Sequence, residues 1–218
     1  MFELPLFPLN TVLFPATPLQ LHIFEPRYKK MINLCIQERR PFGVVLIRLG
    51  AEALGPLPEP YPVGCSAEII HVQRLSEGRL NITALGQKRF QIISIDSESE
   101  PYLVGSVEDF QLTNPYPEIV ERKASDLRPK VERFIQALAR AGGGQFDVGQ
   151  LPPDPISLAY IAAAMLQIPP LEKQRLLAFE RADELLAELL LTYRRENALL
   201  PSVLSDTNPL QQGGFSRN

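Results

Sequence analysis

Few residues in this chain have the types and spacing that bond-breaking chemistry needs. There are two histidines, His22 and His71, and two cysteines, Cys35 and Cys65. A nucleophile needs a base within reach. His22 lies between Leu21 and Ile23, and His71 follows Ile69-Ile70, so both read as strand histidines on one side of an alternating pattern. No G-x-S-x-G elbow presents a serine to either. The cysteines stand in apolar surroundings with no Cys or His at ligand spacing, which fits buried, reduced thiols and no metal. Gly142-Gly-Gly144 is followed by Gln145 and Phe146 with no lysine, so it reads as a helix terminator and not as a phosphate loop. Asp183-Glu184 fits a helix surface. The expectation is a protein without catalytic residues, metal or cofactor.

The polar residues that stand out suit structure better than catalysis. Glu25 and Arg27 flank Pro26 where an extended segment turns into a helix, and Arg89 precedes Phe90 in Gly86-Gln-Lys-Arg-Phe90. A charge at the margin of an apolar core is costly unless paired. Glu25 is therefore expected to pair with Arg27 or with Arg89, tying the first helix to the sheet. The first 28 residues are apolar and carry prolines at 5, 8, 15, 18 and 26. Proline fixes its own φ and gives no ladder donor, so this stretch reads as short strands joined by bends, with some backbone left unpaired. Leu4, Leu6, Val12, Leu21 and Ile23 are expected in the core. Phe7, Phe14, Leu19 and Phe24 are the candidates for an exposed groove that an extended apolar polypeptide docks on.

These residues are positioned by two kinds of element. Pro26 through about Glu38 has helical spacing, with Tyr28, Met31, Ile32, Cys35 and Ile36 on one stripe. Phe42 to Leu49 reads as a central strand, and Gly50 to Pro62 as a surface loop. Further strands are expected over Val63–Leu75, Leu80–Leu85, Phe90–Ile95 and Tyr102–Leu112, with a hairpin at Glu77-Gly78 and a joint at Gly86-Gln-Lys88. Short strands at this spacing suggest a barrel or compact sandwich. From Asn114 the pattern turns helical. Pro117 to Arg140 carries Leu127, Val131, Phe134, Ile135 and Leu138 on one stripe, with Pro129 expected to kink or split it. Asp154-Pro155 caps a helix to about Gln167, a short helix lies near 171–179, and a last one runs from about Ala182 to Asn197. The fold class is α+β: a β-rich subdomain over 1–113, a helical bundle over 114–200, and a loose tail over 201–218.

The chain has 218 residues, 45% of them hydrophobic, and a net charge of −3. Neither half is basic, which argues against binding a phosphate backbone. The N-terminus lacks a basic leader region, and no run of apolar residues is long enough to span a membrane, so a cytoplasmic location is expected.

Several segments, taken in order, resemble the LON substrate-binding domain family, the N-terminal domain of the ATP-dependent Lon proteases. The opening has Leu4-Pro-Leu-Phe-Pro-Leu9, Val12-Leu-Phe-Pro15 and Leu21-His-Ile-Phe-Glu-Pro-Arg-Tyr28. Later segments include Phe42-Gly-Val-Val-Leu46, Val63-Gly-Cys-Ser-Ala-Glu-Ile69, Gly78-Arg-Leu-Asn-Ile82, Gly86-Gln-Lys-Arg-Phe90, Pro101-Tyr-Leu103, Val107-Glu108 and Lys173-Gln-Arg-Leu-Leu177. Ala16 departs from the pattern, standing where the family often has glycine after Phe-Pro. The resemblance implies a PUA-like β-barrel followed by a helical bundle, and a non-catalytic module that recognises unfolded or damaged polypeptide. A protease or chaperone would be its second partner. No nucleotide-binding loop or Ser–Lys peptidase module is recognisable, so neither ATP hydrolysis nor peptide cleavage is expected. The alternatives are RNA binding, which other PUA-like barrels perform, and small-ligand binding in the barrel.

Overall fold

The computed structural model describes residues 1–142 and 151–206. Seven strands come first: β1 (Phe2–Leu9), β2 (Pro18–Ile23), β3 (Phe42–Leu49), β4 (Glu59–Pro60), β5 (Val63–Arg74), β6 (Leu80–Asp96) and β7 (Leu103–Asp109). Helix α1 (Pro26–Glu38) interrupts them. Helices α2 (Pro117–Gly142), α3 (Pro155–Met165), α4 (Pro170–Leu177) and α5 (Ala182–Asp206) follow, so the chain is α+β.

The strand pairing closes on itself. β1 pairs antiparallel with β7, β7 with β6, β6 with β5, β5 with β3, and β3 returns parallel to β1. The result is a small barrel of five strands. β2 adds to the first half of β6, and β4 to the end of β3. β6 is one strand of 17 residues, not two joined at Gly86-Gln-Lys88 as the sequence suggests. Gly86 does not turn the chain. It lets the strand pass the Phe14 backbone: a Cβ on Gly86 would lie 2.2 Å from the Phe14 carbonyl oxygen. Two hydrogen bonds fix the passage, Ala16 N–H to the Gly86 carbonyl at 2.8 Å and Gly86 N–H to the Thr17 carbonyl at 3.0 Å. Ala16 there has φ of +61°, a left-handed conformation that disfavours residues with a side chain.

Glu25 gives α1 an extended entry, and Pro26 starts its first turn without losing a needed donor. Tyr28, Met31, Ile32 and Cys35 are its buried face, packed on Phe7, Phe42 and Cys65 of the barrel. Arg39 ends the helix in a left-handed conformation, with φ of +50°. Leu4, Leu6, Val45, Phe90, Leu103 and Val107 fill the other end of the barrel. Phe90 packs there against Gly43 and Gly64, at each of which a Cβ would lie under 3 Å from its ring.

The helices share one core in which Leu127, Val131, Leu158, Leu185, Leu189 and Tyr193 are fully buried. Asp154 caps α3 by accepting from the Ser157 N–H at 2.8 Å. Buried Ala159, Ala162 and Ala163 let its neighbours approach, and the Tyr193 hydroxyl donates to the Ala162 carbonyl at 2.8 Å. Pro129 does not split α2, which runs unbroken because buried Leu127 and Val131 hold both sides of it in the core. α5 also continues beyond Asn197, through Pro201, to Asp206. The tail expected from residue 201 is thus helical in its first part, and its remainder, 207–218, lies outside the described residues, as do Gly143 and Gly144 of the expected helix stop.

Barrel and helices share a seam. Phe14 and Val63 belong to the helical core. Thr113 forms a bridge with Arg181, and the Thr113 N–H donates to the Glu180 carbonyl at 2.8 Å. The Gln174 amide donates to the Val63 carbonyl at 2.9 Å in a buried setting.

Candidate functional site

β2 is an edge strand. One side pairs with β6 from Leu85 to Leu80, and the other pairs with no strand among the described residues. Its side chains alternate, with Leu19 and Leu21 half-buried and Gln20 and His22 exposed, until Ile23 enters the core. The chain then leaves the strand at Phe24, which is 44% exposed. The His22 and Phe24 rings stack with centroids 6.0 Å apart.

Beside the free edge lies a groove of about 270 Å³. Its walls include Phe7 and Leu9 from β1, Leu21 and Phe24, Tyr28 from α1, and Glu52 from the loop after β3. The Tyr28 ring packs 4.2 Å from the Phe7 ring, and its hydroxyl is buried with no hydrogen-bond partner. Burial pushes the phenol up to about 12, against the downward pull of Arg27, so it remains a neutral donor at physiological pH. A buried hydroxyl without an acceptor is costly, and the folded chain carries that cost at the floor of the groove.

The rim is held by charges. Glu25 and Arg27 form an ion pair at 2.9 Å, with both side chains largely buried. Arg27 donates to the Gly55 carbonyl at 3.1 Å, and Glu52 accepts from the Asn10 N–H at 2.7 Å. These contacts bind the 50–58 loop against the start of α1. They hold Leu54 89% exposed, with φ of +59°, beside Glu25.

The structure divides the residues singled out in the sequence. Phe24 and Leu19 border the free edge. Phe7 and Phe14 are core residues, at 6% and 0% exposure, because the ends of β1 and of the following turn face inward. Phe7 forms groove wall, whereas Phe14 packs into the helical core and offers no surface. Arg89 does not reach Glu25. It is buried against the helical half, donating from Nη1 to the Leu177 and Phe179 carbonyls, each at 2.6 Å. Tyr28 and Glu52 line the groove, and the sequence did not single them out for it. Tyr28 has the spacing of an ordinary core residue, and its missing partner has no sequence signature.

The arrangement suits binding. His22 and His71 share the outer face of the β2–β6–β5 layer, where His22 Nδ1 contacts Asn81 Oδ1 at 2.8 Å and the Asn81 amide donates to Gln73 at 2.9 Å. No serine, cysteine or acid hydrogen-bonds either histidine among the described residues. Burial pushes the Cys35 thiol up to about 11 and the Cys65 thiol up to about 12, which makes both poor nucleophiles. The described residues hold no cluster of three metal-ligating side chains and no helix long and apolar enough to cross a membrane. A larger groove, about 730 Å³, runs between the end of α1 and β5, lined by Ile36, Ile69 and Val72 with Arg39 and Lys88 at its margin.

The chain was compared with known proteins. Residues 3–192 match the model of the ATP-dependent protease La (LON) substrate-binding domain. The Lon protease of Anaeromyxobacter dehalogenans is 26% identical over 176 residues, covering 80% of this chain and 21% of that protein. Lon protease 1 of Hydrogenovibrio crunogenus is 24% identical over 197 residues, covering 88% of this chain and 24% of that protein. The chain thus spans under a quarter of the length of these relatives. Among solved structures, the Lon N-terminal domain protein from Xanthomonas campestris superposes with a TM-score of 0.63 at 23% identity, covering 87% of this chain and 98% of that one. The N-terminal domain of Mycobacterium avium complex Lon protease gives 0.67 at 17% identity, covering 88% and 98%. With a family match across nearly the whole α+β unit, the chain belongs to the ATP-dependent protease La (LON) substrate-binding domain family.

Proposed function

We propose that this chain is a non-catalytic polypeptide-binding module that takes extended, apolar segments of unfolded protein along the free edge of β2. The observation that carries this reading is the groove itself: an unpaired strand edge, an exposed Phe24 and apolar walls. A docked segment would add as a strand and form main-chain hydrogen bonds with β2. Alternate side chains of that segment would rest on Leu9, Leu21 and Phe24. Main-chain bonding and apolar contact are tolerant of sequence, which is what recognition of many unfolded chains requires.

The family match supports the same reading, because the matched relatives carry this domain as part of proteins named Lon protease. A cytoplasmic setting, with a protease or chaperone as second partner, fits the two buried free thiols. Nucleic acid is not part of this reading, since neither half of the chain is basic.

Fluorescence anisotropy with a labelled, permanently unfolded polypeptide tests it. Phe24→Asp is expected to weaken binding about tenfold or more while leaving the thermal midpoint unchanged, because Phe24 is not core. Unaltered affinity in that variant would remove the groove from the function. ATP hydrolysis or casein cleavage by the pure chain would refute its non-catalytic character.

A further inference from the structure

The free edge of β2 offers a fixed set of backbone groups. The Gly86 N–H donates to the Thr17 carbonyl at 3.0 Å, just before the strand starts. Backbone groups of an extended strand turn to alternate sides, so Leu19, Leu21 and Ile23 follow Thr17 toward β6, and Pro18, Gln20 and His22 turn away. Proline has no N–H, so the open side presents two donors, on Gln20 and His22, and three carbonyls. Edge strands are commonly guarded by charged side chains. β2 is not: from Leu4 to Phe24 the chain has no lysine, arginine, aspartate or glutamate.

The charge around this edge is one-sided. The groove wall has two carboxylates, Glu25 and Glu52, and no lysine or arginine. Glu25 is neutralised by Arg27 at 2.9 Å, and Arg27 also donates to the Gly55 carbonyl. The lysines of α1 are committed elsewhere, Lys29 to the Glu77 carbonyl and Lys30 to Glu100. Glu52 has no cation at ion-pair distance among the described residues. It is half-buried, and its Oε2 accepts from the Asn10 N–H at 2.7 Å. That bond holds the carboxylate in place, so a cation arriving there has less side-chain freedom to freeze.

We propose that the β2 edge selects among extended segments by charge, and that its occupant is an apolar strand carrying a lysine or arginine at one end. The strand pairs with the backbone of Gln20 and His22, and its cationic group lies on Glu52 at the Phe24 end of the groove. Complementary charge at the margin of an apolar site gives preference more than raw affinity. The inference rests on the reading of β2 as the polypeptide site, and it names the class of segment that this site prefers.

The test uses the full chain and three labelled octapeptides with one alternating valine–threonine core. Their two end residues are lysine in the first, glutamine in the second and glutamate in the third. The lysine peptide is expected to bind about three- to fivefold tighter than the glutamine peptide, and the glutamate peptide more weakly than either. The preference is expected to fade in about 0.5 M salt. Glu52→Gln keeps an oxygen for the Asn10 N–H and removes the charge, and it is expected to level the lysine and glutamine peptides. Glu188→Gln, on the exposed face of α5, is expected to leave the preference intact. Equal loss in both variants would assign the preference to the overall negative charge of the chain and overturn the role of Glu52. Measurable but equal binding of all three peptides would overturn the selection by charge and leave the groove standing, whereas no binding of any would overturn the β2 reading and this inference together.

Discussion

Gly86 and Phe14 meet backbone to backbone, with the α-carbon of one so close to the carbonyl oxygen of the other that a methyl group would lie 2.2 Å from it. Neither partner can yield cheaply, since Gly86 is held in β6 by pairing with Ala67 and Phe14 is fully buried in the helical core. Gly86→Ala is therefore expected to destabilise the protein by at least about 2 kcal/mol in urea unfolding. A change under about 0.5 kcal/mol would show that the turn after Phe14 is free to move.

The same turn holds the opposite case. Ala16 has φ of +61°, where a left-handed residue with a side chain costs about 1–2 kcal/mol. Glycine removes that cost but adds about 0.5–1 kcal/mol of lost chain freedom. Ala16→Gly is expected to raise stability by about 0.5–1 kcal/mol, read as a higher thermal midpoint. A lowered midpoint would contradict this.

Arg89 secures the seam by donating from one nitrogen, Nη1, to two carbonyls, with its planar head against the Phe110 ring. Arg89→Lys keeps the charge but loses the flat guanidinium that lies on Phe110 and that holds the donor at the Leu177 and Phe179 carbonyls. The variant is expected to lose about 2 kcal/mol. Amide exchange should quicken first in α4, and an α4 that remained as protected as in the parent would argue against the latch.

How much of this was legible in the sequence depended on the kind of signal. α1 was readable to its bounds because Pro26 marks its start and Tyr28, Met31, Ile32 and Cys35 repeat at helical spacing. β6 was not, because a glycine needed for close approach looks the same as a glycine needed for a turn. Pro129 shows its local cost in the sequence, whereas the tertiary packing around Leu127 and Val131 that overrides it does not show there. The candidate surface was the least legible part. Phe7, Phe14 and Phe24 are one residue type in one apolar run, and only the closure of the barrel decides which stays outside. Arg89 gave no sign of its partners, which are backbone carbonyls of residues 177 and 179.

The buried thiols make stability depend on alkaline pH. Burial raises Cys35 from the usual thiol value near 9 to about 11, and Cys65 to about 12. The folded state therefore keeps both protons in a range where the unfolded chain has released them. This contribution is complete below pH 9 and is lost as pH rises from there toward 11 and 12. The thermal midpoint is expected to fall steadily above pH 9, and less so in a Cys35→Ala, Cys65→Ala variant. At pH 8 a thiol reagent is expected to label neither cysteine until denaturant is added, and rapid labelling of the folded chain would disprove their burial.

Glu25 supports the rim of the groove by its ion pair with Arg27 and its contact with the Leu54 N–H at 3.4 Å. Glu25→Ala is expected to cost about 1 kcal/mol and to release the 50–58 loop. Limited proteolysis reads this directly, as faster cutting near Leu54. Unchanged cutting would mean that the loop is held by Arg27 and Glu52 alone.

The ring of strands has a consequence for how the protein is made. β1 is synthesised first, yet one of its partners is β7, which pairs Val107 with Phe2. On the ribosome the apolar Leu4 to Leu9 segment must wait for the chain through Asp109, and the seam at Arg89 waits longer, for Phe179. Throughout that interval the nascent chain displays an unpaired hydrophobic strand of the kind its own groove is suited to receive. On the proposed reading, a module that takes unfolded chains begins life as one, and two copies emerging on neighbouring ribosomes would be clients of each other.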